Sequence, residues 1–244
     1  FGSGISAFDQ DAIEAMYLNA DMGTSVANTV YNINAPKDFP PEVRTFKWNA
    51  KNATLESTYR TIDIGTHMFE WENTRVEICN LNFNGNGLTA LGFQITNSDY
   101  YLENVNMYDF QCREGDRVYG VRHDFYAATA RDSRMYNCSF NLFRPEGGQT
   151  QITTGAGATR GLMVWIQEVA TDPTNIIYEV RDSSFNSFYG EGDAIHWFPV
   201  SDNLQDNEIT LIVDGCDFSD NTRRDIKTQG GRIRVTNCVF TKIS

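Results

Sequence analysis

A six-residue pattern returns six times along this 244-residue chain, and it narrows the fold more than any other feature. It reads apolar, any, Asn/Asp/Gly, small or apolar, any, Phe/Met. The copies are Ile78-Cys79-Asn80-Leu81-Asn82-Phe83, Leu102-Glu103-Asn104-Val105-Asn106-Met107, Met135-Tyr136-Asn137-Cys138-Ser139-Phe140, Val180-Arg181-Asp182-Ser183-Ser184-Phe185, Val213-Asp214-Gly215-Cys216-Asp217-Phe218 and Val235-Thr236-Asn237-Cys238-Val239-Phe240. Successive copies start 24, 33, 45, 33 and 22 residues apart. Self-similarity on this scale marks a repeat architecture.

Apolar residues two apart share one face of a strand. Alternation breaks at the third position, where the chain always places Asn, Asp or Gly, the residues that best tolerate a left-handed backbone. Each copy therefore reads as a short strand, a one-residue bend and a second short strand. Stacked bends build a parallel β-helix, with rungs about 4.8 Å apart. The spacings of 22 and 24 suit a bare turn of the chain, and those of 33 and 45 a turn carrying a loop. The expected fold is all-β: a right-handed parallel β-helix of about seven coils.

A second repeat follows each bend: Leu91-Gly92-Phe93, Val121-Arg122-His123, Met163-Val164-Trp165, Ile195-His196-Trp197 and Ile226-Lys227-Thr228. With first and third residues facing in, the outward column is Gly92, Arg122, Val164, His196 and Lys227. A one-residue slip would invert every facing. Residues 9–21 read as a helix, with Asp9 as N-cap and Ile13, Met16 and Tyr17 as an apolar stripe. Such a helix suits the open end of a solenoid, so residues 1–28 are expected to form a capping segment and 29–244 the β-helix.

The formal net charge of -12 disfavours binding to nucleic acid or to an anionic membrane. No run of 18 apolar residues spans a membrane, and no signal-peptide pattern is present. A first residue of Phe rather than Met reads as a fragment or processed product. Three of the five cysteines, Cys138, Cys216 and Cys238, follow a bend residue, where they read as small core filler rather than as disulfides.

The opening Phe8-Asp9-Gln10-Asp11-Ala12-Ile13 and the Asn-Cys-x-Phe bends resemble those of the pectate-lyase-like superfamily, and within it the β-helix of bacteriophage tailspikes. The resemblance covers roughly residues 5–244. It implies a homotrimer that binds bacterial surface polysaccharide, in many cases cutting it, with other virion tail proteins as partners and a place in the virion tail. A free-standing bacterial polysaccharide lyase or hydrolase and a non-catalytic virion adhesin are the other readings.

Two chemistries are open. In β-elimination, Lys227 or His196 would take the α-proton of a uronate while Arg122 neutralises its carboxylate. In glycoside hydrolysis, two of Asp124, Glu191, Asp193 and Asp225 (with Glu168 nearby) would act as acid and base or nucleophile, about 5 Å apart in retaining enzymes and about 6.5 to 9.5 Å in inverting ones. A solvated sheet face with no catalytic role accounts for the same charges. Tyr119, Tyr126, Tyr189, Trp197 and Phe198 flank loops and suit stacking on a glycan. Trp165 shares the inward slot with Trp197 in this frame, and a slip by one would make them sugar platforms. The insertion from Arg144 to Ala158 is Gly- and Thr-rich and is placed to border a site. The three histidines, His67, His123 and His196, have no metal-ligand spacing, and neither a metal nor a cofactor is expected.

Overall fold

The computed structural model describes residues 23–24, 27–33, 37–38, 45–60, 67–113, 116–125, 132–146, 158–167, 176–199 and 209–242. The expected helix at 9–21, Tyr126, Glu168 and most of the 144–158 insertion lie outside them. The described elements are all strands, in one sheet of 13 and another of 7. Every pairing between them is parallel. The fold is therefore all-β and parallel. Gly23–Thr24 already pairs with Trp48–Asn49, so the first sheet begins before residue 29.

The six copies stack in register. Ile78 lies on Leu102, then Met135, Val180, Val213 and Val235, one rung above another. Each bend residue has the left-handed backbone its chemistry allows: φ is 57° at Asn80, 53° at Asn104, 47° at Asn137, 49° at Asp182, 65° at Gly215 and 53° at Asn237. The bend shifts the burial phase. In Arg75–Asn84, Val76 and Ile78 are buried, Cys79 and Asn80 both face away from the core, and Leu81 and Phe83 return to it.

Tyr100–Cys112 makes the same shift twice, at Asn104 and again at Asp109. The second shift marks another stack of bends, Asp109, Leu142, Ser187 and Asp220, all at positive φ. Strand Thr45–Ser57 is a further copy of the repeat. It carries two extra residues, because three (Ala50, Lys51 and Asn52) occupy the place of Asn80 before Ala53 and Leu55 pair with Leu81 and Phe83.

Inside, like stacks on like. The rings of Phe140, Phe185, Phe218 and Phe240 lie nearly parallel, with centroids 5.1, 5.3 and 5.0 Å apart. Phe110, Phe143 and Phe188 form a second column at 5.0 and 4.8 Å. These spacings match the distance between hydrogen-bonded strands, so one rung geometry sets both backbone pairing and ring contact. The column ends at Phe240, which is 51% exposed, beside Val239 at 56%.

The second sheet corrects the sequence frame. Its true columns are Phe93, Val121, Leu162, Ile195 and Ile226 facing in, and Gln94, Arg122, Met163, His196 and Lys227 facing out. Three of the five segments are framed as expected. Met163-Val164-Trp165 slips by one, so Val164 is core and Trp165 faces outward. Leu91-Gly92-Phe93 slips by two. Gly92 instead joins Gly120 and Gly161 in a close-packed column. A Cβ at Gly120 would lie 2.8 Å from the Gly161 carbonyl oxygen and 2.9 Å from the Phe140 ring. Asp225 falls beyond Ala194 in this column, away from the outward face.

All five cysteines are free thiols. Burial raises Cys112, Cys138 and Cys216 to about 12. At pH 8, a thiol-disulfide indicator should titrate no more than Cys79 and Cys238 in the native protein and all five after denaturation. Prompt native reaction of a third thiol would contradict this packing.

Candidate functional site

Most sequence candidates share the outer face of the second sheet, where strands Arg117–Phe125, Ala158–Ile166, Asp193–Pro199 and Arg224–Thr228 lie side by side. Outward side chains recur every two residues, so each strand offers two or three to this face. Arg122 grips Asp124 with two contacts, Nη2 to Oδ2 at 2.9 Å and Nε to Oδ1 at 3.2 Å. Asp124 is fully buried and also accepts from Gln94 Nε2 at 2.8 Å. The two charges compensate each other, and both carboxylate oxygens already accept.

The next cluster centres on Arg160. Its Nε donates to His196 Nδ1 at 2.8 Å, and its Nη1 donates to the Tyr119 hydroxyl at 3.2 Å. With Nδ1 accepting, His196 carries its proton on Nε2 and donates it to Gln229 Oε1 at 2.7 Å. Burial, then the nearby Arg160 charge, lowers His196 to about 4, so the ring is neutral at pH 7. Its only lone pair is occupied, and His196 cannot serve as a base in this arrangement. Asp193 is buried against Arg224 Nε, with Arg160 Nε at 3.9 Å from its other oxygen.

Lys227 lies on the rung after His196 and has no ion-pair or hydrogen-bond partner among the described residues. Burial lowers its pKa; Arg224, Arg160 and Arg223 push the same way, and Asp193 opposes them. Beside it runs an aromatic strip. Trp165 stacks on Phe198 at 6.1 Å and 22°, Phe198 on His196 at 5.7 Å and 24°, and Arg122 lies 5.5 Å from the Trp165 ring centroid. Trp165 and Phe198 are half-buried.

The remaining candidates separate. Trp197 is fully buried against Tyr178 and has no face for a sugar. Tyr119 is buried beneath Arg122 and Arg160. Tyr189 belongs to the bend side, where its hydroxyl donates to Asp220 at 2.6 Å. Glu191 faces Arg223 at 3.5 Å. Asp225 accepts from Asn221 Nδ2 at 2.7 Å. Asp124 and Asp193 are two rungs and five residues apart, roughly 19 Å on a flat sheet and far beyond either hydrolase spacing.

Comparisons with known proteins return nothing: no family model matches the chain, and neither does any curated protein or solved structure. The reading of the site therefore rests on its geometry.

A concavity elsewhere on the protein was not anticipated from the sequence. A groove of about 450 Å³ runs along the first stack of bends. One wall is a ladder of amides: Asn80 donates to Asn49 at 3.1 Å, Asn104 to Asn80 at 2.9 Å and Asn137 to Asn104 at 2.6 Å. The other is a file two residues further on, in which Asn106 donates to Asn82 and Ser139 to Asn106, both at 2.9 Å. Asp182, Ser184 and Asp217 extend the walls. The bend asparagines were legible as backbone formers, but the same amides also line a groove. Arg160, Arg224 and Gln229 were missed too. The signal for Arg160 was the shared form of Leu91-Gly92-Phe93, Tyr119-Gly120-Val121 and Arg160-Gly161-Leu162.

Proposed function

We propose that the chain is a right-handed parallel β-helix, capped by a helix at 9–21, that recognises a bacterial surface polysaccharide in the manner of a bacteriophage tailspike. It acts as a homotrimer in the virion tail, alongside other tail proteins. The observation that carries this reading is the half-buried Trp165–Phe198 pair on the outer face of the second sheet, with Arg122 and Lys227 beside it. Aromatic faces hold the apolar faces of sugar rings, and a neighbouring amine such as that of Lys227 takes hydroxyls or an acidic substituent. Binding is better supported than hydrolysis, because Asp124, Glu191, Asp193 and Asp225 each already face a partner.

A second reading rests on Lys227. An amine with a lowered pKa among Arg160, Arg223 and Arg224 suits removal of the proton α to a uronate carboxylate, followed by loss of the glycosidic oxygen at the β-carbon.

One experiment addresses both: titration of the protein against a panel of capsular and O-antigen polysaccharides, with light scattering for mass and ultraviolet absorbance for unsaturated sugars. At least one polymer should bind a species of three chains, and Trp165→Ala should weaken it about tenfold or more. Unsaturated product that disappears in Lys227→Gln would establish elimination. Absence of binding across the panel, or binding indifferent to Trp165→Ala, would sink the assignment to this face.

A further inference from the structure

We infer that the groove along the asparagine bends is a separate binding site for a hydroxyl-rich saccharide that carries no acidic group. It lies on the first sheet, away from the Trp165 face, and is built from different chemistry.

The ladder leaves donors and acceptors unspent. An amide has two N–H donors and two carbonyl lone pairs. The contacts from Asn80 to Asn49, Asn104 to Asn80 and Asn137 to Asn104 use one donor of each giving residue and one lone pair of each receiver. Asn80, Asn104 and Asn137 line the groove, one to a rung at a spacing of about 4.8 Å. Serine hydroxyls at 139 and 184 repeat the pattern on the second file. An extended chain of hydroxyl-bearing rings meets such evenly spaced partners at every step.

The ladder then stops. The next bend residue is Asp182, an acceptor only, and the one after it is Gly215, which contributes no side chain. A Cβ at Gly215 would lie 2.5 Å from Asp182 Oδ1, so the carboxylate occupies the space that a side chain there would need. Asp182 and Asp217 are exposed, and neither carboxylate accepts a hydrogen bond from a described residue. Among the described residues, no lysine or arginine lines the groove.

These facts select the ligand. A volume of about 450 Å³ is that of a small-molecule site, but a polar lining offers little to an apolar guest. Two unpartnered carboxylates, in a chain of net charge -12, repel uronates, phosphates and nucleic acid. They accept from vicinal hydroxyls or from a sugar amine. A metal is not indicated, since no group of three metal-binding side chains occurs among the described residues.

The test is calorimetric titration of the full chain with cellohexaose, maltohexaose and a glucosamine hexamer, with a galacturonate hexamer as the acidic counterpart. At least one of the first three should bind and the galacturonate hexamer should not compete with it. Gly215→Asn keeps a residue that tolerates the left-handed bend and pushes the Asp182 carboxylate out of its place in the groove. It should weaken binding about tenfold or more. Asp217→Lys, on an exposed position, should do the same to the glucosamine hexamer and serves if Gly215→Asn fails to fold. Trp165→Ala should leave hexamer binding in place, which separates this site from the outer sheet face. The inference is overturned if none of the three hexamers binds, if the folded groove variants bind as the wild type does, or if Trp165→Ala alone removes binding.

Discussion

Replacing Phe185 by alanine should cost about 3 to 5 kcal/mol of unfolding free energy, the range for truncating a fully buried aromatic. Phe185 lies between Phe140 at 5.1 Å and Phe218 at 5.3 Å, both nearly parallel to it, and it also packs under the Gly161 backbone. The rungs above and below are fixed by backbone pairing, so they cannot close over the hole. The lost ring contacts therefore appear almost entirely as destabilisation. Phe240→Ala provides the internal comparison. Its ring belongs to the same column but has one ring neighbour, Phe218, and is half exposed, so about 1 kcal/mol is expected. Urea unfolding of the two variants measures the contrast. Equal losses would mean that the phenylalanine column does not carry the load assigned to it. Because each rung rests only on its neighbours, Phe185→Ala should also broaden the transition by weakening the link between the two halves of the stack.

The first repeat was readable because its constraint is local. A left-handed residue at each bend restricts the choice to Asn, Asp or Gly, and six such positions in a fixed apolar frame are hard to mistake. The second stack of bends obeys the same geometry with Asp109, Leu142, Ser187 and Asp220, and it leaves no consistent signature. Leu142 is held at φ 61° by pairing on both sides, between Tyr108–Phe110 and Asn186–Phe188, so tertiary stacking overrides its preference. The copy in Thr45–Ser57 was hidden by its two extra residues, of which Lys51 and Asn52 adopt positive φ.

On the second sheet, apolar-x-apolar fits both Leu162-Met163-Val164 and Met163-Val164-Trp165, and alternation alone does not choose between them. The glycine column does, because a Cβ at Gly92 or Gly120 would strike the neighbouring carbonyl, and counting from those glycines sets the register. The candidate site was legible in residue type but not in state. Arg122 and Asp124 are two apart on one strand, which puts them on one face and makes an ion pair the expected outcome. His196 could not be recognised as an acceptor without Arg160, which reaches it across 36 residues of sequence.

Acidification should destabilise this protein progressively from about pH 6.5 downward. Burial, aided by the charge of Arg122, lowers His67 to about 3. Burial lowers His123 to about 4 against the opposing pull of the Ser98 carbonyl and Asp124, with Tyr100, Phe125 and Tyr178 packed around the ring. His196 is at about 4 for the reasons given above. In the unfolded chain each returns to about 6.5. Below that pH the unfolded state binds protons that the folded state refuses, so stability rises with pH and falls on acidification. The contribution is complete above pH 6.5 and is lost progressively down to about pH 4. Near pH 5 three such groups give a slope of about 4 kcal/mol per pH unit, and by pH 4 His123 and His196 have each removed about 3 kcal/mol. Urea midpoints measured at intervals from pH 7.5 to 4.5 should trace this loss. His196→Gln keeps an acceptor for Arg160 and a donor for Gln229 but cannot take up a proton, so its slope should be about two thirds of the wild-type value. A flat profile between pH 7 and 5 would mean that these histidines are solvated in the folded protein, and would remove the fixed His196 tautomer from the description of the outer face.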